Sequence, residues 1–144
     1  MASFKQEKDH IIICGYGVVG QKIGEVLGEH MIDFVVVDNN DSLTSKLEEQ
    51  EIKVIRGDAT SSKTLKEAGI VGAKAIAVVM DNDAKNLFSV LTARDLNKKI
   101  FIVTRANDDF VREKLIEAGA DYIVMPQKAA SREIISELKK NDTG

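Results

Sequence analysis

A short apolar run, His10-Ile11-Ile12-Ile13-Cys14, breaks directly into Gly15-Tyr16-Gly17-Val18-Val19-Gly20. Few chain paths satisfy that junction: a strand must stop, turn in one tight loop and enter a helix that packs back on the same strand. Gly15 permits the turn, Gly17 leaves room for backbone amides to approach a pyrophosphate, and Gly20 lets the helix lie close to its strand. The helix N-terminus then offers unpaired N–H groups and a positive dipole end. A second apolar run, Phe34-Val35-Val36-Val37, ends at Asp38, whose carboxylate can accept hydrogen bonds from ribose hydroxyls. A lone G-x-G-x-x-G is weak evidence. Strand, glycines, helix, second strand and terminal acid in this order form a dinucleotide-binding signature, and the expected ligand is an adenine nucleotide. The competing role for Asp38 is a helix N-cap, which Asp41 or Ser42 fills better. An acid at this place repels a 2′-phosphate, so NADP is disfavoured.

Strand and helix patterns alternate along the rest of the chain. Strands are expected at about 10–14, 33–38, 53–56, 75–80, 100–104 and 121–125, short and almost continuously apolar, as when helices cover both sheet faces. Helices are expected at about 18–30, 41–50, 62–68, 83–97, 108–118 and 128–140, with caps at Asp41 or Ser42, Ser61 or Ser62, and Asp83, and glycine stops at Gly69 and Gly119. The only proline, Pro126, stands just before the last of them. The fold class is α/β, a doubly wound parallel six-stranded sheet of Rossmann type in the order 3-2-1-4-5-6. The lobe fills 10–140. The polar start, 1–9, reads as a linker or expression remnant, and 141–144 as a tail. The sheet is expected to use up these residues, leaving none to build a substrate domain.

Composition narrows the partners. The net charge of −3 argues against nucleic acid, which demands clustered excess cation. No apolar stretch approaches the roughly 18–20 residues that span a bilayer, and no signal peptide opens the chain. A single cysteine, Cys14, excludes internal disulfides and fits a reducing compartment; in a buried strand it is a small inert hydrophobe. His10 and His30 lack partners at ligand spacing, so no metal site is expected. Asp81-Asn82-Asp83 precedes a helix and reads as capping rather than as a cation site. Lys139-Lys140 reads as a solvated terminus.

Further along, Val54-Ile55-Arg56-Gly57-Asp58-Ala59-Thr60 and Leu65-Lys66-Glu67-Ala68-Gly69-Ile70 form a G-D-A-T-x4-L-x-x-A-G-I stretch that ordinary dehydrogenases have no reason to carry. With Gly72-Ala73-Lys74-Ala75, Ala118-Gly119-Ala120-Asp121 and Val124-Met125-Pro126, it makes essentially all of 8–140 resemble the N-terminal lobe of an RCK domain (regulator of K+ conductance, also KTN or TrkA-N). Such lobes form cytoplasmic gating rings of potassium channels and K+ transporters. The resemblance implies a phosphate loop of Gly15, Tyr16, Gly17, Val18 and Val19, a ribose held by Asp38 with Asn39 beside it, and an adenine met by Asp58 and Ala59. It further places Asp81 toward the ligand's other half and Arg105 toward a distal phosphate or a neighbouring lobe. Ca²⁺-gated members carry carboxylates where this chain has Arg105, Asn107 and Val79 or Met80; an arginine repels a hard cation, so that site is expected to be absent. The family continues into a smaller C-terminal lobe, so a fragment of a longer subunit is expected.

Catalytic signatures are missing. No Tyr and Lys stand four apart, as a short-chain reductase needs, and there is no G-x-S-x-G elbow, no Cys/His pair with a plausible partner and no G-x-x-x-x-G-K-[ST] loop. The expectation is therefore a non-enzymatic, cytoplasmic, ligand-sensing lobe. The resemblance implies that it binds NAD(H), foremost, or ATP, ADP or AMP, and gates a membrane pore subunit or domain. The alternative is a fragment of an NAD-dependent oxidoreductase. Helix 83–97, with Leu87, Phe88, Val90, Leu91, Ala93 and Leu96, and helix 108–118, with Phe110, Val111, Leu115 and Ile116, carry wider apolar arcs than one stripe. Either the sheet contact is broad, or both helices also form a homodimer interface, within a tetrameric or octameric ring. Ile134, Ile135 and Leu138 on the last helix are expected to meet the second lobe or a neighbour.

Overall fold

The computed structural model describes residues 8–142. Most of the polar start and the last two residues of the tail lie outside them. Six parallel strands among the described residues, β1 (Ile11–Cys14), β2 (Phe34–Asp38), β3 (Val54–Arg56), β4 (Ala75–Val78), β5 (Phe101–Arg105) and β6 (Tyr122–Val124), form one sheet in the order β3-β2-β1-β4-β5-β6. They alternate with α1 (Val18–Glu29), α2 (Asp41–Glu49), α3 (Ser62–Glu67), α4 (Asp83–Leu96), α5 (Asp109–Ala118) and α6 (Pro126–Asp142). This is the doubly wound Rossmann architecture expected from the alternation. Strand order reverses between β1 and β4, which share a register from Ile11 opposite Ala75 to Cys14 opposite Val78. A crevice therefore opens at their C-terminal ends.

The apolar strands have a core on each side of the sheet. Ile13 and Val36 pack with Leu47 of α2 and with Ile23 and Leu27 of α1. Ile12, Cys14, Val35 and Val37 face the opposite way, toward Leu65 of α3, Val90 and Ala93 of α4, and Leu115 of α5. Burying each of the larger aliphatic side chains stabilises the lobe by about 1.5–3 kcal/mol. Cys14 belongs to this second core, and burial pushes its thiol up to about 12. Its thiolate is thus scarce at neutral and mildly alkaline pH. Ellman's reagent at pH 8 should label Cys14 only after denaturant is added; rapid labelling of the native chain would contradict the buried placement.

Several element ends differ from the sequence-based expectation, each for a local reason. The caps of α2 and α4 are Asn40 and Asn82, whose side chains accept from the N–H groups of Leu43 at 3.0 Å and Lys85 at 2.9 Å. Asp41 and Asp83 sit one residue inside, where a carboxylate favours the positive helix end without capping it. Ser61 caps α3, as one of the two residues expected. Strand β4 stops at Val78, two residues early, because Met80 bonds sideways to Asn86. Helix α6 starts at Pro126, whose missing N–H is one of the donors a helix start leaves unused. It buries none of its residues, and Ile134, Ile135 and Leu138 all stand exposed.

The two wide-faced helices divide their apolar residues. Val90, Ala93 and Leu115 are buried, while Phe88 is 57% and Phe110 72% exposed, with Leu91 and Ile116 also outward. The sheet contact therefore accounts for only part of each arc. No helix among the described residues is long and apolar enough to cross a membrane.

Candidate nucleotide site

The glycine loop is held from two sides. Gly15 has φ of +93°, and an added Cβ would stand 2.8 Å from Met80 Cγ, so the ends of β1 and β4 can approach only with glycine here. The Gly15 N–H donates to the Val37 carbonyl at 3.0 Å, which ties the loop to the end of β2. Asp38 completes the tie: the Tyr16 N–H donates to its Oδ2 at 3.0 Å and the Asn40 N–H to its Oδ1 at 2.9 Å. Its side chain does not cap α2, a task that falls to Asn40. Both carboxylate oxygens retain lone-pair capacity, since an ionised carboxylate accepts about four hydrogen bonds.

Helix α1 opens on Gly17 with no side-chain cap and no acid in its first turn. Helices α2 to α5, by contrast, each have a capping side chain at their N-termini. A Cβ added at Gly17 would meet nothing within 4 Å, so protein packing does not require glycine there. The unused N–H groups and the open space above Gly17 are what a phosphate needs. At Gly20 a Cβ would collide with the Gly15 carbonyl oxygen. That glycine belongs to helix–strand packing, and it does not line the cavity.

The opposite wall carries charge. Asp58, in the turn after β3, accepts from the Thr60 N–H at 2.9 Å and the Thr60 hydroxyl at 2.7 Å, both on Oδ1. These bonds hold its carboxyl below the usual carboxylate range, with a smaller pull from Lys85. The Lys85 ammonium forms no hydrogen bond or ion pair with the described residues. Arg105, at the end of β5, buries its Nε without a partner, and its Nη2 reaches only Asn107 Oδ1 at 3.5 Å. A buried guanidinium donor left unpaired is costly in a bare lobe and is satisfied if an anionic ligand accepts it. The Asn86 side chain, fully buried, fixes this wall: its Oδ1 accepts from the Met80 N–H at 3.0 Å, and its Nδ2 donates to Met80 O at 2.9 Å and Arg105 O at 3.3 Å.

These walls enclose a cavity of about 480 Å³ at the strand-order reversal. Gly15, Tyr16, Gly17, Val18, Val19, Asp38, Asn39, Asp58, Ala59, Asp81 and Arg105 all line it; Gly20 alone of the residues singled out above stays beneath. The cavity also takes in Lys85, Asn40, Leu43, Gly57 and Met80, which sequence reasoning did not assign to a ligand. Most are neighbours of assigned residues and followed from adjacency. Lys85 had no sequence signal, because it lies near Asp58 only through the fold. A second cleft of about 520 Å³ runs between α5, β6 and the protruding α6. Its slightly larger size carries less weight than chemistry, since it has no glycine loop and does not lie at the strand-order reversal.

Known proteins match this geometry. The TrkA-N domain family matches residues 11–126. Potassium channel protein 1 of Methanocaldococcus jannaschii is 40% identical over 93% of this chain, which spans 41% of that protein's length. The TrkA-N domain of inner membrane protein ybaL from Escherichia coli superposes with a TM-score of 0.89 at 27% identity, covering 92% of this chain and 98% of that one. The GsuK channel bound to NAD gives a TM-score of 0.77 at 28% identity, over 85% of this chain and 22% of that chain. The same channel bound to ADP gives 0.76 at 29%, over 83% and 31%.

Proposed function

Because the chain belongs to the TrkA-N domain family, the N-terminal lobe of RCK domains, we propose that it is a cytoplasmic regulatory lobe that binds an adenine nucleotide and biases a potassium channel or transporter pore. The observation that carries this reading is the coincidence, in one cavity, of an uncapped helix start, a ribose-competent Asp38 and an unpaired buried Arg105 Nε. Structures of the GsuK channel with NAD and with ADP support a ligand of this class.

In this reading the Gly17–Val19 amides hold the phosphates. Asp38 and Asn39 hold the ribose, Asp58 and Ala59 border the adenine, and Asp81 and Arg105 meet the other half of NAD(H) or the terminal phosphates of ADP or ATP. The bound nucleotide supplies charge and shape, and this chain's residues orient it. It serves as a signal, not a cosubstrate.

Pairing occurs through the outer faces of α4 and α5, where Phe88, Leu91, Phe110 and Ile116 are exposed. Lys114 and Glu117 flank Ile116 and pair with each other, so that face carries both signs and can meet its own copy without net repulsion. A ring of such pairs on a membrane pore is the larger assembly. A ligand shifts that assembly only if it binds one arrangement better than another.

Calorimetric titration with NAD+, NADH, ATP, ADP and AMP, alongside light scattering, tests the reading. Selective binding with a change in mass or shape is expected. Absence of binding by all five would remove the nucleotide role, and equal binding with no change in assembly would reduce the site to a structural clamp.

A further inference from the structure

Tyr16 faces two ways. Its backbone belongs to the nucleotide cavity, with the N–H on Asp38 Oδ2 and the carbonyl accepting from Gln21 Nε2 at 3.1 Å. Its ring lies against α1, where a Cβ on Gly24 would collide with the phenol oxygen. The residue is 5% exposed, yet its hydroxyl has no hydrogen-bond partner among the described residues. A buried phenol usually finds one. Burial, and to a smaller extent the charge of Glu25, raises this hydroxyl above its ordinary value, so at neutral pH it keeps its proton and is a donor.

The ring borders a second cavity, of about 440 Å³, on the face of the sheet that carries α1 and α2. Phe34, Leu47 and Ile52 give it an apolar floor, and Gly24 and Gly28 belong to its α1 wall. Gly24 is needed to seat the tyrosine ring. Gly28 is not needed by the lobe: a Cβ there meets nothing within 4 Å, so the space beside it stays open. The charged lining residues, Glu25 and Lys46, are exposed and of opposite sign, and Glu25 also pairs with Lys22 at 3.6 Å. The floor therefore offers no countercharge, and burying a charge unpaired is costly, so the interior suits a neutral molecule. An apolar cavity of this size with a convergent polar group has the form of a small-molecule site.

We propose that this cavity is a second ligand site, for a small neutral molecule with a compact apolar body and a carbonyl oxygen that accepts from the Tyr16 hydroxyl. The body lies between α1 and α2 on Phe34 and Leu47 and fills the space beside Gly28. The carbonyl satisfies the buried donor that the lobe leaves unpaired, in surroundings where such a bond is stronger than in water. The site does not rest on the nucleotide reading, because neither the cavity nor the unpaired phenol involves a phosphate.

The probe is 4-fluorobenzamide, a neutral ring bearing a carbonyl, followed by fluorine NMR on the 144-residue chain. Saturable binding with a dissociation constant of about 1–5 mM is expected for a molecule of this size. Fluorobenzene, which lacks the acceptor, should bind about fivefold more weakly. Tyr16→Phe keeps the ring and removes the hydroxyl. It should weaken the amide by about the same factor and leave fluorobenzene unchanged. Gly28→Leu fills the open space and should block both probes while the chain still melts as a folded lobe. Saturating ADP should displace neither probe from wild type.

No saturable binding of the amide by wild type overturns the proposal. So does undiminished binding in a folded Gly28→Leu chain, or displacement by ADP, since either places the probe elsewhere. Equal affinity of the amide for wild type and Tyr16→Phe removes the hydrogen bond, and with it the assigned ligand class. If Tyr16→Phe does not fold, the ratio of amide to fluorobenzene affinity on wild type reads the same bond. Nucleotide binding is decided separately, by its own titration.

Discussion

Asp38→Ala is expected to lower adenine-nucleotide affinity by one to two orders of magnitude while leaving the lobe folded. A hydrogen bond to a charged group contributes about 1.5–3 kcal/mol, which converts to roughly 10- to 150-fold in affinity for the ribose contact alone. Truncation also frees the Tyr16 and Asn40 N–H groups that the carboxylate now pins at 3.0 and 2.9 Å, so the glycine loop loses its tie to β2. The core is untouched, since Asp38 is only half-buried and stands at the strand end. Asp38→Asn separates the contributions. Its single carbonyl oxygen can satisfy one of the two backbone donors, and its NH₂ cannot accept from the other. Intermediate affinity is expected, together with weaker discrimination against a 2′-phosphate, because the repelling charge is gone. Calorimetry with NAD+ and NADP+ on the three proteins checks both points. Unchanged NAD+ and ADP affinity in Asp38→Ala would rule out the ribose contact.

How far the sequence spoke depended on the range of the interaction. Strand order and the floor of the cavity were legible because local patterns encode them: glycines at fixed offsets, short β-branched runs, and an acid at a strand end. The caps were harder. Asp and Asn are both good caps, and adjacent pairs such as Asn40-Asp41 and Asn82-Asp83 offer two registers separated by one residue. The backbone chose asparagine both times, leaving the acid inside the first turn where the dipole rewards it. Lys85 was invisible because a lone lysine in a helix is ordinarily solvated. Only the crossover that lays α4 beside the β3–α3 connection brings it near Asp58. The same holds for Ser89 and Thr92, whose hydroxyls bond the Ala59 and Thr60 carbonyls, 30 and 32 residues away. The apolar arcs of α4 and α5 were legible as excess, but which residues would face outward required the helix phase against the sheet. Phe88 and Phe110 supplied that answer.

Arg94→Ala should give a large stability loss and almost no change in ligand affinity, because Arg94 serves the opposite end of the strands. Its guanidinium donates to Gly119 O from Nε at 3.1 Å and Nη2 at 2.8 Å, to Ile100 O from Nη1 at 2.9 Å, and to Asp121 Oδ2 from Nη2 at 2.9 Å. Nη1 also reaches the carbonyls of Asn97 and Lys98 at 3.3 and 3.1 Å. One side chain thereby joins the end of α4, the approach to β5 and the turn from α5 into β6. The Asp121 carboxylate it orients also accepts from the Ile102 N–H at 2.8 Å. Gly119, with φ of +109°, lies against the arginine stem, where an added Cβ would stand 2.8 Å from Arg94 Cγ. Removing the guanidinium strands several part-buried carbonyls and frees Asp121, at a cost of about 3 kcal/mol. For a chain of this length that lowers the melting midpoint by roughly 10 °C. Arg94→Lys should recover only a minor part, because an ammonium cannot reproduce a planar fork that serves carbonyls on both sides. Every group in this latch lies before or at the start of β5 or β6, whereas the cavity lies where the strands end. Nucleotide affinity below the melting transition should therefore stay within about twofold of wild type, the spread expected for independent sites. Thermal melts and calorimetry on the same preparation decide it. A parallel loss of stability and affinity would mean that the two ends of the strands are not independent, and that the latch takes part in shaping the nucleotide site.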